Sequence, residues 1–316
     1  MRQDIEFMSD GQICRGWLIT PNEGNGPFPV IVMAGGWCYV KEIMMPHYAD
    51  FFVKAGFATI LFDYRNFGGS DGMPRQHLDP SMQIEDYKNA ISFAETLPEV
   101  DNNRIGIWGI SYSGGHVLTV GATDPRVKCI VSVIAVVDGL VTMQRLHPAQ
   151  RFTELLEVIL EDRRKRFQDP ASRGNIPFAA PDPVKTLCTL PDPNAYEIFM
   201  RLKETEAPLH EHYSTIESVE LLLSYTVFPY VSRIWNTPTQ MIVVANDNIT
   251  AWDREIEAYH QISSATKKLV VMPNASHMSL YSERTHLEIA AEEGTEWFKE
   301  HLGTPVSAAP GAGQNL

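Results

Sequence analysis

The chain has 316 residues, is 44% hydrophobic and carries a formal net charge of −13. That length holds one large domain, or a core domain with a substantial insertion. The acidic balance without a long run of one sign argues against a nucleic-acid partner, no apolar stretch nears the roughly 20 residues of a membrane span, and the first seven residues lack a signal peptide's apolar core.

Residues 3–9 and 12–19 alternate apolar with polar positions around Asp10-Gly11 and predict an antiparallel hairpin. Residues 21–29 are rich in Gly, Pro and Asn and predict a turn region. Val30-Ile31-Val32-Met33-Ala34 is a continuous apolar run, the pattern of a strand buried on both faces. A helix over 48–55 ending at Gly56 and a second buried strand over 57–62 follow. Residues 84–97 predict an amphipathic helix, 105–109 a strand and 128–137 another buried strand.

Regular alternation stops near Asp138. Up to about Trp235 the chain is rich in charged helix formers broken by prolines, with helices predicted over 151–167 and 194–203. Residues 174–193 are Pro-rich and predict a connector running over a surface. Alternation resumes with a strand over 241–245, a helix over 252–262, a strand over 268–272 and a long helix over 283–302. The tail 304–316, rich in Ala, Pro and Gly, predicts disorder. Strands and helices in this order imply a mostly parallel, doubly wound sheet. Ligands then sit at the C-terminal strand ends. The expected organisation is a core of residues 1–137 and 236–303, with 138–235 inserted as a helical cap over that site.

The most informative segment is Gly109-Ile110-Ser111-Tyr112-Ser113-Gly114-Gly115. It follows a predicted strand and precedes a helix-like stretch, which is the context of a nucleophile elbow. Such a turn needs small residues two before and two after the serine; here they are Gly109 and Ser113. Serine is a weak nucleophile until a histidine takes its proton, and the histidine needs a carboxylate to fix its tautomer. His277, in a loop between the last strand and the last helix, is the expected base. Asp247, in the loop after 241–245, is the expected acid, with Asp138 as competitor and Asp253 read as a helix cap. His116 falls on the elbow helix and is expected to face away from the reaction.

The oxyanion that forms on attack needs preorganised N–H donors. The expected pair is the backbone amides of Tyr112 and Trp37, with Gly36 the alternative to Trp37. Cys38, Tyr39, Tyr213 and Tyr230 are candidates for the substrate pocket. Phe152, Leu155, Ile159, Phe199, Leu209, Tyr225 and Phe228 supply an apolar lid, and Arg151 and His147 are further polar candidates. The four cysteines (Cys14, Cys38, Cys129, Cys188) lack metal-like spacing, and the ten histidines include no His-x-x-x-His pair. Neither metal nor cofactor is therefore expected, and the thiols read as reduced in a cytoplasmic protein.

With these residues in place, the chain resembles the α/β-hydrolase superfamily over essentially all of residues 1–303. Asp63-Tyr64-Arg65-Asn66-Phe67-Gly68-Gly69-Ser70-Asp71-Gly72 looks like that family's structural Asp-x-Arg-Gly-x-Gly-x-Ser-x-Gly loop, with Asn66 in place of a Gly. Val40-Lys41-Glu42 together with the elbow is similar to dienelactone-hydrolase-like and Xaa-Pro-peptidase-like proteins, and especially to the polyketide transferase and thiohydrolase group. Many members have His-Gly in the oxyanion loop; here it is Gly35-Gly36.

The resemblance implies an α/β-hydrolase fold and a serine hydrolase. It would cleave a small-molecule ester, thioester or lactone through an acyl-enzyme, or pass the acyl group to an alcohol. A C–C bond hydrolase acting on a diketone uses the same triad. A peptidase or amidase fits the elbow, although the C-terminal jelly-roll domain of Xaa-Pro peptidases is missing. A non-catalytic receptor has no need of all three triad residues. The composition leaves room for a homodimer.

Overall fold

The computed structural model describes residues 1–24 and 26–303; the tail 304–316 lies outside the described residues. The predicted hairpin is present as β1 (Arg2–Ser9) and β2 (Gln12–Ile19), paired antiparallel around Asp10-Gly11. β3 (Phe28–Ala34), α1 (Met45–Lys54), β4 (Ala58–Phe62), α2 (Pro80–Ala94), β5 (Val100–Ile110), α3 (Tyr112–Thr123) and β6 (Val127–Val133) follow. The insertion supplies α4 (Gly139–Leu146), α5 (Ala149–Gln168), β7 (Asn175–Pro177), α6 (Pro193–Thr205), β8 (Tyr213–Thr215), α7 (Ile216–Leu223) and α8 (Phe228–Val231). The core resumes with β9 (Thr239–Val244), α9 (Trp252–Gln261), β10 (Lys267–Met272), α10 (Ser279–Ser282) and α11 (Arg284–Leu302).

Among the described residues, eight strands form one sheet in the order β1-β2-β4-β3-β5-β6-β9-β10. From β4 onward every neighbouring pair is parallel. The two faces are read from β5. A Cβ on Gly106 would strike Leu302 and Phe298 of α11, and the next even position, Trp108, packs against Tyr48 of α1 with ring centroids 4.7 Å apart. Ile107, one residue out of phase, faces Gly121 of α3. Alternate side chains thus serve opposite helical layers, which is why these strands read as unbroken apolar runs.

The chain leaves β3 toward β4 on one side and then crosses to β5 on the other. The loops after β3 and β5 therefore open beside each other, at a topological switch point. Behind them lies a buried polar anchor. Asp86 of α2 accepts hydrogen bonds from Ser9 Oγ (2.5 Å), the Arg65 amide (3.0 Å) and Arg65 Nε (2.6 Å). Both side chains of the ion pair are nearly sealed from solvent. Asn66, where the motif usually has Gly, adopts φ 74°, a left-handed conformation that Asn tolerates better than most residues.

One expectation is corrected here. Residues 174–193 run over a surface only in part: 181–187 are exposed or half-buried, whereas Ile176, Phe178, Ala179, Ala180, Cys188, Thr189 and Leu190 are buried. Short backbone ties hold them, from Thr189 N to Pro177 O (2.9 Å) and from Leu190 N to Phe178 O (2.7 Å). The prolines mark bends, and most of the apolar residues between them turn inward, with Val184 left exposed. Four short helices, α4, α7, α8 and α10, were also absent from the expected elements; each spans too few residues to show a helical period.

Removing Asp86 leaves the Arg65 guanidinium buried without its main partner. Asp86→Ala is expected to cost about 3–5 kcal/mol, read as a lower urea midpoint at unchanged m-value.

Candidate active site

Ser111 occupies the turn between β5 and α3 at φ 58°, ψ −118°. Such a backbone is strained for a residue with a side chain, so the surroundings must hold it. Ser111 N donates to Val133 O (2.9 Å), and Ser111 O accepts from Val136 N (3.0 Å). A Cβ on Gly109 would lie 2.3 Å from Ser113 O, and one on Gly115 would lie 2.2 Å from Val136 O. Only glycine fits at either place.

Ser113, the imperfect position of the elbow, has a specific task. Its Oγ accepts from Ile110 N (2.9 Å) and donates to Ala34 O (2.7 Å). Tyr87 Oη accepts from Ala34 N (2.9 Å) and donates to Trp108 O (2.8 Å). Both backbone groups of Ala34 are thereby tied to β5 or its turn.

The other two expected catalytic residues meet at strand ends. His277 Nδ1 lies 2.9 Å from Asp247 Oδ2, and both side chains are buried. Asp247 Oδ1 accepts from the amides of Ile249 (2.7 Å) and Thr250 (3.1 Å), which fixes the carboxylate. Burial pushes its carboxyl up, but the facing His277 and these amides outweigh burial and hold it below the usual carboxylate range. With Nδ1 donating to an ionised Asp247, the free ring nitrogen is Nε2. Ser111 and His277 line one cavity.

The competing acids are engaged elsewhere. Asp138 caps α4 through Val141 N and pairs with Arg254. Asp253 pairs with Arg145 at an exposed position. His116 bonds Tyr225 Oη (3.0 Å) and Gln83 Oε1 (2.9 Å), outside the cavity lining, and burial pushes it down to about 3.

The loop after β3 crosses directly over the elbow. A Cβ on Gly36 would lie 3.1 Å from Ser111 Cβ and 3.3 Å from Tyr112 N. Among the described residues the amides of Trp37 and Tyr112 have no backbone acceptor. The far end of the loop is anchored by Asp63, which accepts from Lys41 N (2.6 Å), Lys41 Nζ (2.8 Å) and Gly69 N (3.0 Å).

Of the residues expected in the pocket, Tyr39 lines the cavity, as do Trp37 and Tyr112. Cys38 is turned away: its Sγ meets Tyr213 O at 3.3 Å. Tyr213 contributes that carbonyl from β8, and Tyr230 of α8 packs under Arg233; neither is part of the cavity wall. Arg151 is held by Glu154 and Pro183 O, and His147 by Met143 O and Cys188 O. Of the expected lid residues, Phe199 alone reaches the wall, while Phe178, Thr189 and Leu190 come from the segment expected on the surface.

Two features had no simple sequence signal. Glu255 of α9 is fully buried, accepting from Thr250 Oγ1 (2.7 Å) and Ala135 N (2.8 Å). Burial, with the Asp247 charge nearby, pushes its carboxyl well above the usual range. It joins the Asp247 loop to the end of β6. The second feature is a histidine relay. Ala179 N donates to His212 Nε2 (3.3 Å), so the His212 proton sits on Nδ1 and is given to His210 Nε2 (3.1 Å). His210 Nδ1–H then donates to Cys38 O (3.0 Å). The relay connects the cap to the loop over the elbow. Burial pushes His210 down to about 3 and His212 to about 4, with Lys203 adding to both shifts.

Residues 15–279 match the model of the X-Pro dipeptidyl-peptidase (S15) family. The chain belongs to this family. It is thereby an α/β-hydrolase, and with its Ser111-His277-Asp247 arrangement it is a serine hydrolase. Thiohydrolase aneE of Aspergillus aculeatus is 31% identical over 90% of this chain and 86% of its own. Polyketide transferase claH of Penicillium crustosum is 27% identical over 95% of this chain and 98% of its own. In fold, the S15-family chain is similar to the crystal structure of the α/β hydrolase GrgF from Penicillium sp. sh18, with a TM-score of 0.79 and 23% identity over 96% of this chain and all of that one. No helix among its described residues is long and apolar enough to cross a membrane.

The relay sets an acid sensitivity. A histidine whose folded pKa lies below its unfolded value of about 6.5 stabilises the fold above that pH and loses the contribution as pH falls toward the folded value. Unfolding free energy should therefore drop between about pH 6 and 4. His210→Asn keeps a donor near Cys38 but does not titrate, and its slope should be shallower by up to about 1.4 kcal/mol per pH unit in urea titrations.

Proposed function

We propose that this enzyme transfers an acyl group from a small-molecule ester, thioester or lactone to Ser111, and then to water or an alcohol. A single observation carries the reading. Ser111, held in a strained turn, shares a cavity with a histidine whose Nδ1 is engaged by a buried, amide-fixed carboxylate.

His277 Nε2 takes the Ser111 proton as Oγ bonds the acyl carbon. The carbonyl electron pair moves to oxygen, where the Tyr112 and Trp37 amides donate to it. Gly36 makes that approach possible, since a Cβ there would crowd the elbow; the Trp37 amide is the preferred second donor, with the Gly36 amide the alternative. The electron pair returns, the acyl–leaving-group bond breaks, and His277 delivers its proton to the leaving group. A water or alcohol then gives its proton to His277 and attacks the acyl carbon; the acyl–Oγ bond breaks and His277 returns the proton to Ser111 Oγ. Asp247 stays ionised throughout and steadies the imidazolium.

Thioesters are the favoured class, supported by the thiohydrolase relative and by an apolar wall that includes Met143, Leu146, Phe178 and Phe199. The polyketide transferase relative supports transfer to an alcohol as the second outcome. In this reading residues 1–137 and 236–303 are the catalytic core and 138–235 the cap. The acidic charge and four buried free cysteines support a cytoplasmic protein without a nucleic-acid partner, as a monomer or homodimer.

The family's name raises peptide cleavage as a second reading. A dipeptidyl-peptidase must hold a free amino terminus, which calls for a carboxylate in the pocket. The cavity wall contains no Asp or Glu, so acyl transfer is the better fit.

A fluorophosphonate probe should label the wild type and fail on Ser111→Ala; labelling that survives this substitution overturns the nucleophile. Asp247→Asn should lower kcat by about 10³–10⁴-fold toward acyl thioesters, with the fold intact by circular dichroism. A side-by-side assay of acyl thioesters and X-Pro-p-nitroanilides should show turnover of the thioesters.

A further inference from the structure

The cavity that holds Ser111 and His277 is slender. Its volume is about 50 Å³. Its wall is mainly apolar, yet two threonines from different pieces of the cap belong to it, Thr142 of α4 and Thr189 of the 178–190 segment. Each is 4% exposed, and each Oγ1 is buried without a hydrogen-bond partner.

Two other threonines among the described residues, Thr59 and Thr119, also bury a hydroxyl without a partner, but neither belongs to the cavity wall. Thr123, Thr153, Thr205 and Thr295, also in helices, donate their hydroxyls to the carbonyl four residues back. The same outlet was open to Thr142, whose i−4 carbonyl is that of Asp138, and it is not used. Thr189 is equally constrained. Its amide is fixed on Pro177 O, and the preceding carbonyl, of Cys188, is fixed by His147 Nε2. The backbone is pinned while the hydroxyl is left free. Burying an unpaired hydroxyl opposes folding, so a pair of them in an active-site wall points to a ligand atom that satisfies them.

We propose that Thr142 and Thr189 form a polar subsite in the acyl pocket, selecting acyl chains that carry a neutral oxygen function, a hydroxyl or a ketone, over plain hydrocarbon chains. A threonine hydroxyl both donates and accepts, so it matches either group. A carboxylate is a poor match because no Lys or Arg lines the cavity. Trp37 and Tyr112 of the same wall also carry a buried polar atom without a partner, Nε1 and Oη. The inference rests on the acyl-enzyme reading and adds to it the kind of acyl group.

The experiment uses N-acetylcysteamine thioesters of one chain length: a plain acyl chain and a series with one hydroxyl or keto group moved along it. The full-length wild type is compared with Thr142→Val and Thr189→Val, which keep side-chain shape and remove the hydroxyl. Wild type should favour at least one oxygenated isomer over the plain chain by about 10-fold or more in kcat/KM, and each valine variant should lower that ratio by about 10-fold. The same compounds are tested for slowing fluorophosphonate labelling of Ser111, which reports binding even where a thioester is not turned over. A wild type that treats plain and oxygenated chains alike overturns the subsite and leaves the acyl-enzyme standing. So do valine variants that weaken both kinds of chain equally, since the hydroxyls would then be structural or water-bound only. Loss of the Ser111-dependent labelling itself would instead remove the acyl-enzyme reading, and the subsite with it.

Discussion

Ala34 is the point on which the site depends. Its amide is bonded to Tyr87 and its carbonyl to Ser113, and both partners also bond the end of β5. The loop that crosses the nucleophile and the turn that carries it are thus fixed to one another by two buried side chains. The strained conformation of Ser111 persists because its neighbours are over-determined in this way. Glycines at 36, 109 and 115 let the backbones approach, while the hydroxyls of Ser113 and Tyr87 set how closely. Ser113 has taken a position where glycine is usual and uses its extra atom as a tie.

Much of the core was legible because its signals are local. Strands buried on both faces read as apolar runs, and a nucleophile, acid and base at strand ends need only chain order to be found. Asp247 and His277 were placed by that logic. The cap resisted for the opposite reason. Its buried pieces are three or four residues long, interrupted by prolines, and acquire their inward orientation only from distant partners. Thr189 lies against the cavity because Pro177 and His147 hold its backbone, and no periodicity announces that. Cys38 and Tyr213 were recognised as neighbours of the site, yet the sulfur of one turns to the carbonyl of the other, away from the cavity. The direction of a side chain in an irregular loop is a tertiary fact.

The division of labour between the two parts follows from this. The core supplies the chemistry through groups fixed by backbone amides and buried hydroxyls. The cap supplies the facing part of the cavity wall, chiefly apolar side chains with Thr142 and Thr189 among them.

One link between cap and core behaves differently from what its composition suggests. Two histidines in hydrogen-bond contact invite the idea of a proton wire. Here a backbone N–H begins the chain at Ala179 and a backbone carbonyl ends it at Cys38. A fixed donor at one end and a fixed acceptor at the other leave the imidazoles a single proton arrangement, so nothing can be passed along and nothing reversed. The pair is a strut of two rings, stiff because it stays neutral at neutral pH.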